Sequence, residues 1–202
     1  MLRKRIIDLS YKHGLSHIGS CLTSLPLIEN IYKVKKPNEP FILGNSHSAL
    51  ALYVVLEYNG FGNAEELWKK HGTHANRDMK HGIWVSGGSL GQAETVAVGL
   101  ALANRKRNCY LLTSDGALAE GSIWEALRIA SEQRLENLRI TVNANSYGAY
   151  GKIDVDWLDL RLQYFYPTLV IKTNMFKYPH FLQGIGGHYK ILNKEEYKEL
   201  IK

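Results

Sequence analysis

Apolar residues recur at Leu2, Ile6 and Leu9, close to the helical period, which predicts a basic amphipathic helix over 2–13 ended by Gly14. Residues 24–32 (SLPLIENIY) read as a second helix with Pro26 in its first turn, where a missing N–H costs little. Residues 35–40 hold two prolines and form a loop. Phe41-Ile42-Leu43 is a short apolar strand, Gly44 to His47 a turn, and 49–58 a helix, followed by a shorter helix over 65–70. Residues 71–92 are polar and rich in glycine and histidine. A loop of that length in a compact domain is usually functional.

Beyond it the pattern becomes regular. Residues 95–103 (TVAVGLALA) form an apolar helix, 109–113 (CYLLT) a buried strand, 121–133 a helix and 138–142 (LRITV) another strand. Strand, helix and strand in so short a stretch make a βαβ unit, hence a parallel sheet. Residues 168–172 (TLVIK) read as one more strand and 194–202 as a final helix. No internal repeat or domain linker is visible, so 1–202 is expected to be a single domain.

Composition narrows the function classes. The 202 residues suffice for a core without disulfide staples, and 45% hydrophobic with 22% charged residues is an ordinary globular balance. Cys21 and Cys109 make no C-x-x-C pair, which fits a reducing cytosol. The amino terminus has no secretory pattern and no stretch approaches 18 apolar residues, so a cytoplasmic protein without a membrane span is expected. The net charge of +6 comes from short clusters at 3–5, 33–36, 69–70 and 105–107. Such clusters read as solvated faces and helix ends, and with no nucleic-acid signature none is expected to bind DNA or RNA.

The chemistry concentrates in Ser114-Asp115-Gly116 and in Asn145. Asp115 follows one strand and Asn145 the next. If the strands are parallel neighbours, both side chains reach the edge where open α/β sheets bind ligands. A carboxylate and an amide oxygen suit Mg2+ or Ca2+ shared with phosphate oxygens. Gly116 lets the backbone approach a phosphate near the next helix start. On the Asp-Gly pair alone, Asp115 equally fits a helix N-cap in an ordinary βα loop.

Taken together, Asp115-Gly116, Glu120-Gly121, Trp124-Glu125-Ala126, Asn137-Leu138 and Asn145 resemble the thiamin-diphosphate motif of transketolases. Other segments resemble the same family in order. Ser16-His17-Ile18-Gly19-Ser20-Cys21-Leu22 is similar to GHPGSSL. Leu43-Gly44-Asn45-Ser46-His47-Ser48-Ala49-Leu50-Ala51-Leu52-Tyr53 is similar to LSKGHAALALY, and Gly88-Ser89-Leu90-Gly91-Gln92 to GSLGQG. The departures include Ser114 for the first Gly of GDG and Ala93 for the Gly after Gln92. The part after about 153 is shortened and lacks the family's Lys-Gly-Lys-Gly segment.

The resemblance covers the amino-terminal half of a transketolase. It implies a three-layer α/β thiamin-diphosphate-binding fold with a mostly parallel central sheet flanked by helices. It implies Asp115, Asn145 and the Tyr147 carbonyl as ligands of Mg2+ (or Ca2+), and Gly88, Leu90 and Gly116 against thiamin diphosphate. His47 and His188 would face the diphosphate and the reacting sugar. His17 and His74 would meet substrate hydroxyls or move protons, and Glu120 would lie at a subunit contact reaching the cofactor. A pyrimidine-binding, carboxyl-terminal-half subunit is then the expected partner, in an α2β2 assembly acting on ketose and aldose (phospho)sugars. The alternatives are an alpha-type subunit of a thiamin-dependent two-oxoacid dehydrogenase, whose metal loop the segment Asn145-Ser146-Tyr147-Gly148 also resembles, and a non-catalytic homologue.

Overall fold

Three segments bury nearly every residue, as strands of a sheet covered on both faces must. These are β1 (Phe41–Leu43), β2 (Cys109–Ser114) and β3 (Leu138–Ala144). With β6 (Leu169–Lys172) they form a four-stranded sheet in the order β1-β2-β3-β6, parallel throughout. The computed structural model describes residues 1–148 and 150–202.

Side chains alternate between two cores. Phe41, Leu43 and Leu112 face α1 (Leu2–His13), α2 (Ile18–Val34) and α3 (Ala49–Tyr58), where Ile6, Ile28 and Val54 are fully buried. Ile42, Leu111, Ile140 and Val142 face α5 (Gln92–Ala103), α6 (Gly121–Glu132) and α7 (Val155–Phe165), against Ala97, Ile123 and Leu162. The result is the expected three-layer α/β/α arrangement. Between α3 and α5 lie α4 (Ala64–His71) and the long loop; a two-residue-per-strand hairpin, β4 (Tyr147–Gly148) with β5 (Gly151–Lys152), follows β3. The chain closes with α8 (Gly184–His188) and α9 (Lys194–Leu200). Helix α9 lies on α1, with Tyr197 stacked on Tyr11 at 4.4 Å and Arg3 donating to the Leu200 carbonyl at 2.7 Å.

Several expectations need correction. Helix α2 starts at Ile18, not at residue 24, and Pro26 sits inside it rather than in its first turn. Gly19, Ser20, Cys21 and Thr23 have little helical propensity, but their burial outweighs it. Helix α5 starts at Gln92, three residues early. Helix α7 was absent from the sequence expectation; Asp154 caps it by accepting the Trp157 N–H at 3.0 Å. Of the cationic clusters, those at 3–5 and 69–70 hold ion pairs, Arg5 with Glu57, Lys69 with Glu65 and Lys70 with Asp78. Among the described residues no helix is long and apolar enough to cross a membrane.

Candidate active site

The carboxyl ends of β1, β2 and β3 open onto one cavity of about 250 Å3. Every sequence-derived site residue except Glu120 lines it: His17, His47, His74, Gly88, Leu90, Asp115, Gly116, Asn145, Tyr147 and His188.

Strand β2 delivers Asp115, which is buried at 2% exposure. Its carboxylate does not cap α6, where Glu120 takes the N-cap position. Instead Oδ1 accepts the Gly116 N–H at 3.0 Å and Oδ2 accepts the Ser146 N–H at 2.7 Å. Ser146 adopts a left-handed φ of 69°, which turns the chain after β3 and aims that N–H across to β2. Burial pushes the Asp115 carboxyl up to about 6, and the backbone donors only partly offset it. Asn145 Oδ1 accepts the Tyr147 N–H at 3.0 Å. A Cβ on Gly116 would stand 3.1 Å from Gly148 Cα and 3.5 Å from the Tyr147 oxygen, so glycine keeps this corner open.

Four histidines form the opposite wall. The His17, His47 and His188 rings pack within 4.4–5.4 Å of one another, centroid to centroid. His17 starts α2 with φ 65°, and its N–H donates to the His188 carbonyl at 2.9 Å, which ties α8 to the site. Burial, aided by neighbouring imidazoles, pushes His17 down to about 4 and His47 to about 3; burial lowers His188 as well. These rings are therefore neutral at physiological pH. His74 comes from the long loop, with Nδ1 3.0 Å from Ser46 Oγ. His13, on Glu65, and His71 and His81, both on Asp78, tie surface elements together.

Glu120 stands apart from the cavity, at the start of α6. It is half-buried, close to Gly91, and accepts the Tyr150 hydroxyl at 3.4 Å. Two buried amides of the cavity, Asn143 and Asn45, were not among the expected site residues. Asn143 donates to Thr23 and Ser24 hydroxyls at 2.9 and 3.1 Å, and Asn45 donates to Ser24 at 3.0 Å. Both amides are 1% exposed and make a polar floor; the signal for Asn143 was an amide in the buried half of a strand, between Val142 and Ala144. At the rim, Met175, Ile185 and Tyr189 come from the tail, where the sequence offered no pattern.

Among the described residues, no Lys or Arg lines the cavity, and no three His, Cys, Asp or Glu side chains are placed to hold a metal. The donors that do converge are a buried carboxylate without a cationic partner, an amide oxygen and a backbone carbonyl. That all-oxygen set suits a hard divalent ion completed by ligand oxygens and water.

A family described as "Transketolase, thiamine diphosphate binding domain" matches residues 3–166. One subunit of the apulose-4-phosphate transketolase of Phocaeicola vulgatus is 32% identical over 163 residues, covering 71% of this chain and 58% of that protein. The 6-deoxy-6-sulfo-D-fructose transketolase subunit of a Clostridium species is 29% identical, over 93% of this chain and 72% of that one. A transketolase structure from Pichia stipitis superposes with a TM-score of 0.82 at 22% identity, over 98% of this chain and 39% of that one, and so shares the fold. The chain thus spans a little over half of the first of these relatives and well under half of the full transketolase.

Proposed function

The chain belongs to the transketolase family through its thiamine diphosphate binding domain, and from that premise we propose that it is the diphosphate-binding subunit of a two-subunit transketolase. In this reading it transfers a two-carbon ketol unit from a ketose to an aldose (phospho)sugar once a pyrimidine-binding subunit completes the site, in an α2β2 assembly. The two relatives named as transketolase subunits support division of the enzyme into two chains. Two buried, unpaired cysteines suit a cytoplasmic setting.

The observation that carries the proposal is the buried, cation-free Asp115 carboxylate beside Asn145 and the Tyr147 carbonyl, in a cavity also lined by His17, His47, His74 and His188. Asp115, Asn145 and Tyr147 would hold Mg2+ (or Ca2+), and the ion would in turn hold a diphosphate. Gly88, Leu90 and Gly116 would lie along thiamin diphosphate. When bound, that cofactor supplies the carbanion stabilisation that the transfer needs. The protein residues supply orientation and proton handling. His47 and His188, held neutral by burial, would donate hydrogen bonds towards diphosphate and sugar oxygens without adding charge. His17 would hold or move a proton at a sugar hydroxyl. His74 would meet the sugar from the loop side. Glu120, outside the cavity, would sit on the face that meets a second chain and act on the cofactor only through it.

The family match favours this reading over a two-oxoacid dehydrogenase subunit. Reconstitution tests it: the chain is mixed with a pyrimidine-domain transketolase subunit, thiamin diphosphate and Mg2+, and ketose-to-aldose transfer is measured. The mixture is expected to be active and either chain alone inactive. Robust transfer by this chain alone, or two-oxoacid decarboxylation in place of transfer, would refute it. Cofactor-free association with no binding of millimolar thiamin diphosphate would point to a non-catalytic homologue.

A further inference from the structure

A single buried hydroxyl controls how His74 meets the cavity. Ser46 is 2% exposed, and its Oγ lies 3.0 Å from His74 Nδ1. The hydroxyl is boxed in by the long loop. Gly87 passes so close that a Cβ there would overlap both Cβ and Oγ of Ser46. That crossing is fastened by the Gly87 N–H donating to the Ala75 carbonyl at 2.8 Å. Among the described residues, the only hydrogen bond of the Ser46 hydroxyl is the one to His74.

Two proton arrangements are open to this pair. In one, His74 Nδ1–H donates to Ser46, and the serine proton then has no acceptor among the described side chains. In the other, Ser46 donates to a bare Nδ1, both groups are satisfied, and the neutral ring carries its proton on Nε2. A buried unpaired donor is costly, and the second arrangement avoids it. We propose that Ser46 is a positioning residue that fixes His74 as the Nε2–H tautomer, so that His74 faces the cavity as a hydrogen-bond donor to a substrate oxygen and not as a base.

Ser16 provides the contrast. Its Oγ lies 2.7 Å from His17 Nδ1, but Ser16 is only half-buried, so water can take its proton and either tautomer of His17 is satisfied. The motif LSKGH that this segment resembles has glycine where Ser46 stands, so the device belongs to this chain's own sequence. The tautomer follows from the geometry alone; the identity of the oxygen as a sugar oxygen rests on the transferase reading.

Two-bond 1H–15N correlation spectra of the full chain, labelled in its imidazoles at pH 7.5, test the tautomer, with His74→Asn assigning the resonances. The wild type is expected to show a protonated Nε2 and a bare Nδ1 for His74. Ser46→Ala should shift the Nδ1 resonance and admit the second tautomer, and Ser16→Ala should leave His74 unchanged. A protonated Nδ1 in the wild type, or His74 nitrogens indifferent to Ser46→Ala, overturns the proposal. In the reconstituted enzyme Ser46→Ala should raise KM for the ketose about 5-fold, the scale of one neutral hydrogen bond. Affinity for thiamin diphosphate with Mg2+ should stay constant. An unchanged KM overturns the substrate-facing role even where the spectra support the tautomer. Absence of transfer by the wild-type assembly counts against the transferase reading, and the spectra still decide the tautomer.

Discussion

Replacing His47 with glutamine is expected to flatten the acid limb of the ligand-free chain's stability. In an unfolded chain an imidazole titrates near pH 6.5. In the folded site burial is the main cause holding His47 at about 3, and His188, His17 and His74 add to it. Because the folded value is the lower one, the unfolded state binds more protons between pH 3 and 6.5, and stability is lost as pH falls through that window. At pH 5 the unfolded imidazole is nearly all protonated and the folded one is not. The loss relative to pH 8 is therefore about 1.36 × 1.5, or roughly 2 kcal/mol. Any folded value below about 4 gives nearly the same figure at pH 5. Urea unfolding of wild type and His47→Gln at pH 8 and pH 5, at constant slope, measures it. The difference between the two pH values should shrink by about 2 kcal/mol in the variant. Asp115 supplies a check of opposite sign. Its carboxyl is raised to about 6, so the folded state keeps a proton that the unfolded state releases, and acidification from pH 8 to 5 stabilises it by roughly 1.4 kcal/mol. Asp115→Asn should accordingly steepen the limb that His47→Gln flattens. Two variants moving in the same direction, or neither changing the pH increment, would refute the electrostatic account of this site.

Gly116→Ala should push a methyl against Gly148 and the Tyr147 carbonyl. It should weaken Mg2+-dependent thiamin diphosphate binding about 10-fold or more with little change in melting temperature, as calorimetry and thermal unfolding would show. Glu94 is 1% exposed; its Oε1 accepts the Thr113 hydroxyl at 2.5 Å, its Oε2 has no partner, and burial raises its pKa. Since the folded value lies above the unfolded one, its contribution to stability declines as pH rises above the usual carboxylate range, so Glu94→Gln should gain on the wild type as pH rises from 4 to 8. Parallel stability curves for the two proteins over that range would contradict the assignment.

The parts of this fold that were readable were those in which one physical requirement dominates. Strands β1, β2 and β3 are largely buried because both faces of the sheet are covered, and βαβ spacing makes β2 and β3 parallel neighbours; Asp115 and Asn145 then follow adjacent strands at one edge. What stayed hidden depended on partners distant in sequence. The start of α2 at Ile18 is set by packing on α3 and by the His17–His188 tie, which spans nearly the whole chain. The Asn45 and Asn143 floor exists only because α2 presents Thr23 and Ser24 to it. Charge misdirected for a related reason. The excess of +6 suggests attraction for anions, but the ion-paired cations, among them Arg5 on Glu57, Lys69 on Glu65 and Lys70 on Asp78, lie away from the cavity, and no described Lys or Arg lines it. Under the proposed function, the charge of an anionic cofactor here would be balanced by a metal on Asp115 and not by this chain's described Lys and Arg. The proposed activity is accordingly expected to be lost on removal of divalent metal, which would supply the positive character that this chain's described side chains do not bring to the strand ends.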